Sequence, residues 1–189
     1  MYEQRLLKDI GTHARRMAAD ASWGQWVALG SMASPSASRV AESMIDPEAL
    51  VLASLFFRDQ ERRLGDLVSW WARAGANLTS VHRLRAISAH FPARSGQDAF
   101  EQFSRLAADA GDKRWEDHAK ASLSWVSRGE KGPSELSLVY PSTLWLRLRA
   151  GFGVGAKSDA FAFVLGLRGA RASVKVISMA TGYSDVSIR

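Results

Sequence analysis

The chain has 189 residues, of which 47% are hydrophobic and seven are Trp; it can bury a core as one domain, or one domain plus a small module, and wholesale disorder is excluded. Cysteine is absent, which excludes disulfides, thiolate metal sites and Cys nucleophiles and fits a reducing cytoplasm. The formal net charge of +6 is uneven: residues 1–140 hold 18 basic and 17 acidic groups, whereas residues 141–189 hold seven basic and two acidic ones, a local excess that favours nucleic acid or an anionic surface.

The N-terminus "MYEQRLLKDI" is charged and lacks the apolar core of a secretory signal. Leu6, Leu7, Ile10, Ala14, Met17 and Ala18 fall on one helical face, and a second apolar piece, "WGQWVALG" (23–30), follows. "SMASPSASR" (31–39) is small and polar, with a Pro, and predicts a loop. Asp46-Pro47-Glu48 is a helix start: Asp46 can cap, Pro47 loses no needed N–H, and Glu48 meets the positive helix end. The run from Leu50 to Phe57 is apolar all round, which predicts a central helix. The apolar piece 49–57 is too short to span a bilayer and ends in Arg58-Asp59, so no membrane segment is expected.

Further helical stripes follow. Leu64, Leu67, Val68 and Trp71 run to a closing Gly75. Val81, Leu84, Ile87 and Phe91 precede Pro92. Phe100, Phe103, Leu106 and Ala107 end near Gly111, and Trp115, His118, Ala119 and Leu123 make the last. Short connections predict antiparallel packing of neighbours. "SRGEKGPSE" (127–135) has linker composition. "STLWLRLR" (142–149) alternates Leu144, Leu146 and Leu148 with Trp145, Arg147 and Arg149, which favours a short strand over a helical turn. "SDAFAFVLGL" (158–167) predicts a helix capped by Ser158. The resulting plan is a mainly α chain: a helical domain at 1–126, a linker at 127–141 and a C-terminal module at 142–189.

Catalytic patterns are weak. "GFGVGAKS" (151–158) resembles a phosphate loop but has Ala156 where Gly should precede Lys157-Ser158. The upstream segments supply no further strands or second acidic motif, so the simpler expectation is a turn with Lys157 in solvent. His13, His82, His90 and His118 are scattered without metal-ligand spacing, and no Gly-x-Ser-x-Gly elbow occurs. No catalytic, cofactor or metal-binding residue is nominated, and an enzyme is not expected.

The end of the chain, "ASVKVISMATGYSDVSIR" (172–189), carries the functional signal. Ser173 can cap a helix over 174–181 whose Val174 and Ile177 face inward. Gly182 sits where a left-handed backbone angle turns the chain sharply. Tyr183 can plug the angle between helices, Ser184 can cap a further helix, and Ile188 returns to the core. Ser178, four residues before Gly182, falls where closely crossed helices admit only a small side chain. These demands are mutually consistent, and the stretch resembles the bacterial helix-turn-helix and winged-helix transcriptional regulators, whose turn reads A-x-x-T-G-x-S-x-x-S/T-V/I. Ser178 replaces the usual Ala.

The resemblance implies duplex DNA as partner and, because two-fold operators match two-fold proteins, a homodimer. It places Ser184, Asp185, Ser187 and Arg189 at base edges or phosphates, Ser173 and Ser184 at helix starts that bind phosphate, and Arg168, Arg171 and Lys175 as phosphate charges. A recognition helix needs about three turns, and fewer than two follow Ser184; the expectation is an incomplete module from a longer protein that binds DNA weakly. The competing expectation is a protein-interaction module, with exposed Trp and Phe forming an apolar patch on residues 1–126.

Overall fold

The computed structural model describes residues 2–31, 43–120, 136–167 and 169–189. Among them the fold is all helical: α1 (Tyr2–Ala28), α2 (Pro47–Phe57), α3 (Arg63–Ala74), α4 (Val81–Ser88), α5 (Ala93–Asp109), α6 (Leu144–Phe152), α7 (Ala156–Gly166), α8 (Val174–Thr181) and α9 (Asp185–Ile188), with 3-10 turns at Ala76–Leu78, Lys113–His118 and Pro141–Thr143. The mainly α expectation holds. The predicted loop residues 32–39, the linker core 127–135 and Leu123 lie outside the described residues.

Helix α2 is the hub, in contact with α1, α3, α4 and α5. Asp46 caps it by accepting the Ala49 N–H at 3.0 Å, and Pro47 occupies its first turn. Its Leu50, Val51, Leu52 and Leu55 are all buried, so an apolar surface on every side is what a helix with neighbours all round needs. Around it the tryptophans interlock: Trp26 meets Trp70 edge-on at 6.2 Å and Trp71 at 5.8 Å. Their indole N–H groups are satisfied inside the core, Trp26 donating to Ser54 Oγ at 2.8 Å and Trp71 to Thr79 Oγ1 at 2.9 Å, which removes the cost of burying them.

Three local expectations are corrected. The apolar piece 6–18 and residues 23–28 of the second belong to one continuous helix, α1, with Leu29 and Gly30 in the turn that follows; its first half leaves Leu7, Ile10 and Met17 exposed, while Ala19 and Trp26 reach the core. The strand expected over 142–149 is the Pro141–Thr143 turn followed by α6. The residues this segment buries are Leu146 and Arg149, spaced i, i+3 as one helical face requires; the Leu alternation is not what packs. Ser158 does not cap α7: the helix starts at Ala156 after Gly155, and the Ser158 hydroxyl lies inside its first turn, donating to Gly155 O at 2.9 Å. In addition, the Trp115 stripe forms a 3-10 turn rather than an α-helix, started by Asp112, which accepts the Arg114 N–H. Of the predicted linker, Leu136 and Leu138 pack against the core, and Ser137 N–H donates to Leu29 O.

Candidate nucleic-acid interface

Helices α7, α8 and α9 contact one another pairwise. Ser173 Oγ accepts the Val176 N–H at 3.3 Å and starts α8. Helix α8 stops because Gly182 adopts φ 77°, ψ 10°, with its N–H bonded to Ser178 O at 2.9 Å. A Cβ at Gly182 would meet Ala86 Cβ at 3.6 Å and Arg83 Nη1 at 4.0 Å, both ordinary contacts, so the left-handed angle, not crowding, is what calls for glycine there. Ser184 Oγ then accepts the Ser187 N–H at 3.3 Å and starts α9. Ser178 occupies the inside of the turn, its hydroxyl donating to Tyr183 O at 2.6 Å. Ile177, Ser178, Thr181 and Ile188 are turned inward.

The nominated contact residues stand in solvent. Ser173, Lys175, Arg171, Ser184, Asp185, Ser187 and Arg189 are all exposed, and Arg168 lies outside the described residues. Exposed beside them are apolar side chains, Met179 at 76% and Val186 at 83%. Arg147 and Lys157 are exposed as well.

Tyr183 also reaches across to the N-terminal helices: its ring stacks on His82 of α4 at 5.3 Å and 22°, and its hydroxyl lies 3.3 Å from Ser80 Oγ. Burial raises the phenol above its ordinary pKa. The turn is thus docked on α4. His82 Nε2–H donates to Gly182 O at 3.0 Å, and Arg83 Nη1 donates to Ala180 O at 3.1 Å and Thr181 O at 2.7 Å. A cation on the last carbonyls of a helix satisfies acceptors that have no partner within it and complements its dipole.

Arg83 is one end of a buried charge network. Its Nη2 bonds Asp46, and its Nε lies 3.3 Å from Glu48 Oε2. Glu48 Oε1 accepts from Ser80 N–H and from Arg149 Nη1, both at 2.6 Å, and Oε2 accepts from Arg149 Nη2 at 3.0 Å. Arg149 also donates to both oxygens of Asp159 at 2.8 Å and to Leu78 O at 2.9 Å. Trp145 Nε1–H completes Asp159 at 2.6 Å. Burial pushes the Glu48 carboxyl up, and Arg149 opposes it. For Arg149, burial pulls the guanidinium down, but Glu48 and Asp159 outweigh this and hold it above its ordinary value. Three donors bond Glu48 and the Arg83 guanidinium lies beside it, so its carboxylate form is the one the geometry serves.

The sequence pattern did not reveal His82, Arg83, Glu48, Arg149 and Asp159 as the frame of this site. The one available signal was compositional: Glu48 opens an otherwise apolar helix, and Arg149 stands among leucines. The phosphate-loop resemblance at 151–158 lacks its preceding strand, since α6 is a helix, and Lys157 is exposed near the Phe152 ring. Among the described residues no cluster of three or more His, Asp or Glu is placed to hold a metal ion, and no helix is long and apolar enough to cross a membrane. Comparison with protein-family models, curated proteins and solved structures found no match.

Proposed function

We propose that the α7–α8–α9 unit is a helix-turn-helix that binds duplex DNA, and that the protein is a cytoplasmic transcriptional regulator acting as a homodimer. The observation that carries this reading is the left-handed Gly182 between two helices that each begin on a serine cap, with Arg171, Lys175 and Arg189 exposed around them. Helix starts offer free N–H groups to phosphate, and the cations add the sequence-independent attraction. The buried pair Arg149–Asp159 cancels internally, and Arg147, Lys157, Arg171, Lys175 and Arg189 are exposed where phosphate can reach them. Ser184, Asp185 and Ser187 take the reading role at the start of α9, with Ser173, Lys175 and Arg171 on the backbone. Docking on α4 holds this unit in one orientation relative to the N-terminal helices.

Fluorescence anisotropy with a labelled duplex at several salt concentrations tests the proposal. If Arg171, Lys175 and Arg189 each meet a phosphate, log K falls with log salt with a slope of roughly −3, and the Arg171→Glu/Lys175→Glu variant loses binding. Salt-independent binding, or none at low salt, defeats it. The exposed Met179 and Val186 favour a second reading, a protein-interaction face on α8 and α9; under that reading Met179→Asp abolishes partner capture, and charge reversal at Arg171 and Lys175 leaves it intact.

A further inference from the structure

A cavity of about 350 Å³ opens where the C-terminal helices meet the start of α2, at the small end of the range of ligand sites. Its walls are apolar: Met44, Trp145, Phe163 and Leu167. Its polar end is formed by Asp46 and Arg83. Three features set the charge it accepts. First, Arg83 and Arg149 face the three carboxylates of Asp46, Glu48 and Asp159, so among the described residues the network carries one negative charge in excess. Second, Glu48 is fully buried and Asp159 is fully buried, whereas the Asp46 side chain is 24% exposed; the excess is reachable only at Asp46. Third, the cavity is lined by the last turn of α7, at Gly166, and a helix C-terminus is the negative end of its dipole; the carbonyls that end α8 also line it but are taken by Arg83.

We infer that this cavity binds a small organic monocation, an amine or amidine on an aromatic or branched aliphatic body, with its charged end on Asp46. Each Asp46 oxygen already accepts one hydrogen bond, Oδ1 from Ala49 N–H and Oδ2 from Arg83, and a carboxylate oxygen has a second lone pair to offer. The body of the ligand lies along Phe163, Leu167 and Met44. An anionic ligand is disfavoured here because Arg83, the cation at the cavity, is bonded to Asp46 and two helix carbonyls and lies 3.3 Å from a second carboxylate, Glu48. This inference is independent of DNA binding.

The test compares isosteres by thermal shift and calorimetric titration of the full chain: phenethylamine and benzamidine as cations, phenethyl alcohol as the neutral control, phenylacetate as the anion. The cations are expected to raise Tm in a saturable manner and the other two to leave it unchanged. Asp46→Asn keeps a side chain suited to the helix cap and is expected to weaken the amines at least about tenfold, the scale of one charge-assisted hydrogen bond. Gly166→Leu fills the mouth, where a Cβ meets only Met44 Cε at 3.8 Å; it is expected to block binding with Tm of the free protein unchanged or higher. Equal binding of alcohol and amine, binding untouched by Gly166→Leu, or no saturable shift with either cation at millimolar concentration overturns the inference.

Discussion

Among residues 2–120 the largest fully buried side chains are Trp26, Leu29, Ile45, Leu52, Leu64, Trp71, Leu84, Phe103 and Trp115, with Glu48 as the charged exception, whereas in residues 142–188 the buried set is Ser142, Thr143, Leu146, Arg149, Ser158, Asp159, Ala162 and Thr181. The contrast runs against composition. The C-terminal helices are rich in Phe, Val, Leu and Met, yet Phe152, Phe161, Val164, Leu165, Val176, Met179 and Val186 are exposed. The first region is held by non-directional removal of apolar surface, worth about 1.5–3 kcal/mol per large side chain. The second is held by guanidiniums that must meet carboxylates and carbonyls at fixed angles, an arrangement with small net gain but a high cost when one partner is lost. One region tolerates repacking; the other fixes where its parts sit.

The sharpest way to break the comparison is to remove one cation. Arg149→Met strands Glu48 and Asp159 and should cost about 3–5 kcal/mol in urea denaturation. Replacing all three at once, Glu48→Leu/Arg149→Met/Asp159→Leu, should recover most of that loss, because an apolar trio carries no unpaired charge. Trp71→Ala should cost a similar 3–5 kcal/mol, with no compensating partner change to rescue it. If the triple variant is no better than Arg149→Met, the distinction between the regions fails.

Smaller effects sharpen it. Gly182→Ala forces a left-handed angle on a β-carbon and should destabilise by about 1–2 kcal/mol; limited proteolysis should show faster tryptic cleavage at Lys175 while α2 to α5 remain intact. Tyr183 supplies a pH test. Its folded phenol ionises above the ordinary value of 10.0, so its contribution is intact below pH 10 and declines as pH rises beyond it. Tyr183→Phe should flatten that alkaline decline, measured as Tm against pH. Met179→Ser and Val186→Ser should each change stability by less than about 0.5 kcal/mol, since neither side chain is part of the packed interior.

Much of the fold was legible because helical periodicity and helix punctuation are local. Asp46-Pro47-Glu48, Gly75, Gly111, Ser173, Gly182 and Ser184 all act where their residue types suggest, each through a backbone demand met within a few residues. The strand expected at 142–149 failed because alternating leucines describe a side-chain period, while the segment is placed by Arg149, whose partner Glu48 lies 101 residues away. The same distance hid the frame of the site. Arg83 and His82 lie on an ordinary amphipathic helix, and nothing near them in the chain announces that they hold Gly182 and the end of α8. The contact of Tyr183 with His82 joins residues 101 positions apart, so no local pattern around Tyr183 signals it.

A single guanidinium, that of Arg83, binds the carboxylate that caps α2 and the carbonyls that end α8. Detaching the C-terminal turn therefore leaves the guanidinium that holds the cap of the central helix short of two of its acceptors. In amide exchange with deuterated water, the Ala49 and Gly182 N–H groups should lose protection in one common opening event, so that fraying at the far end of the chain is felt at the middle of the bundle.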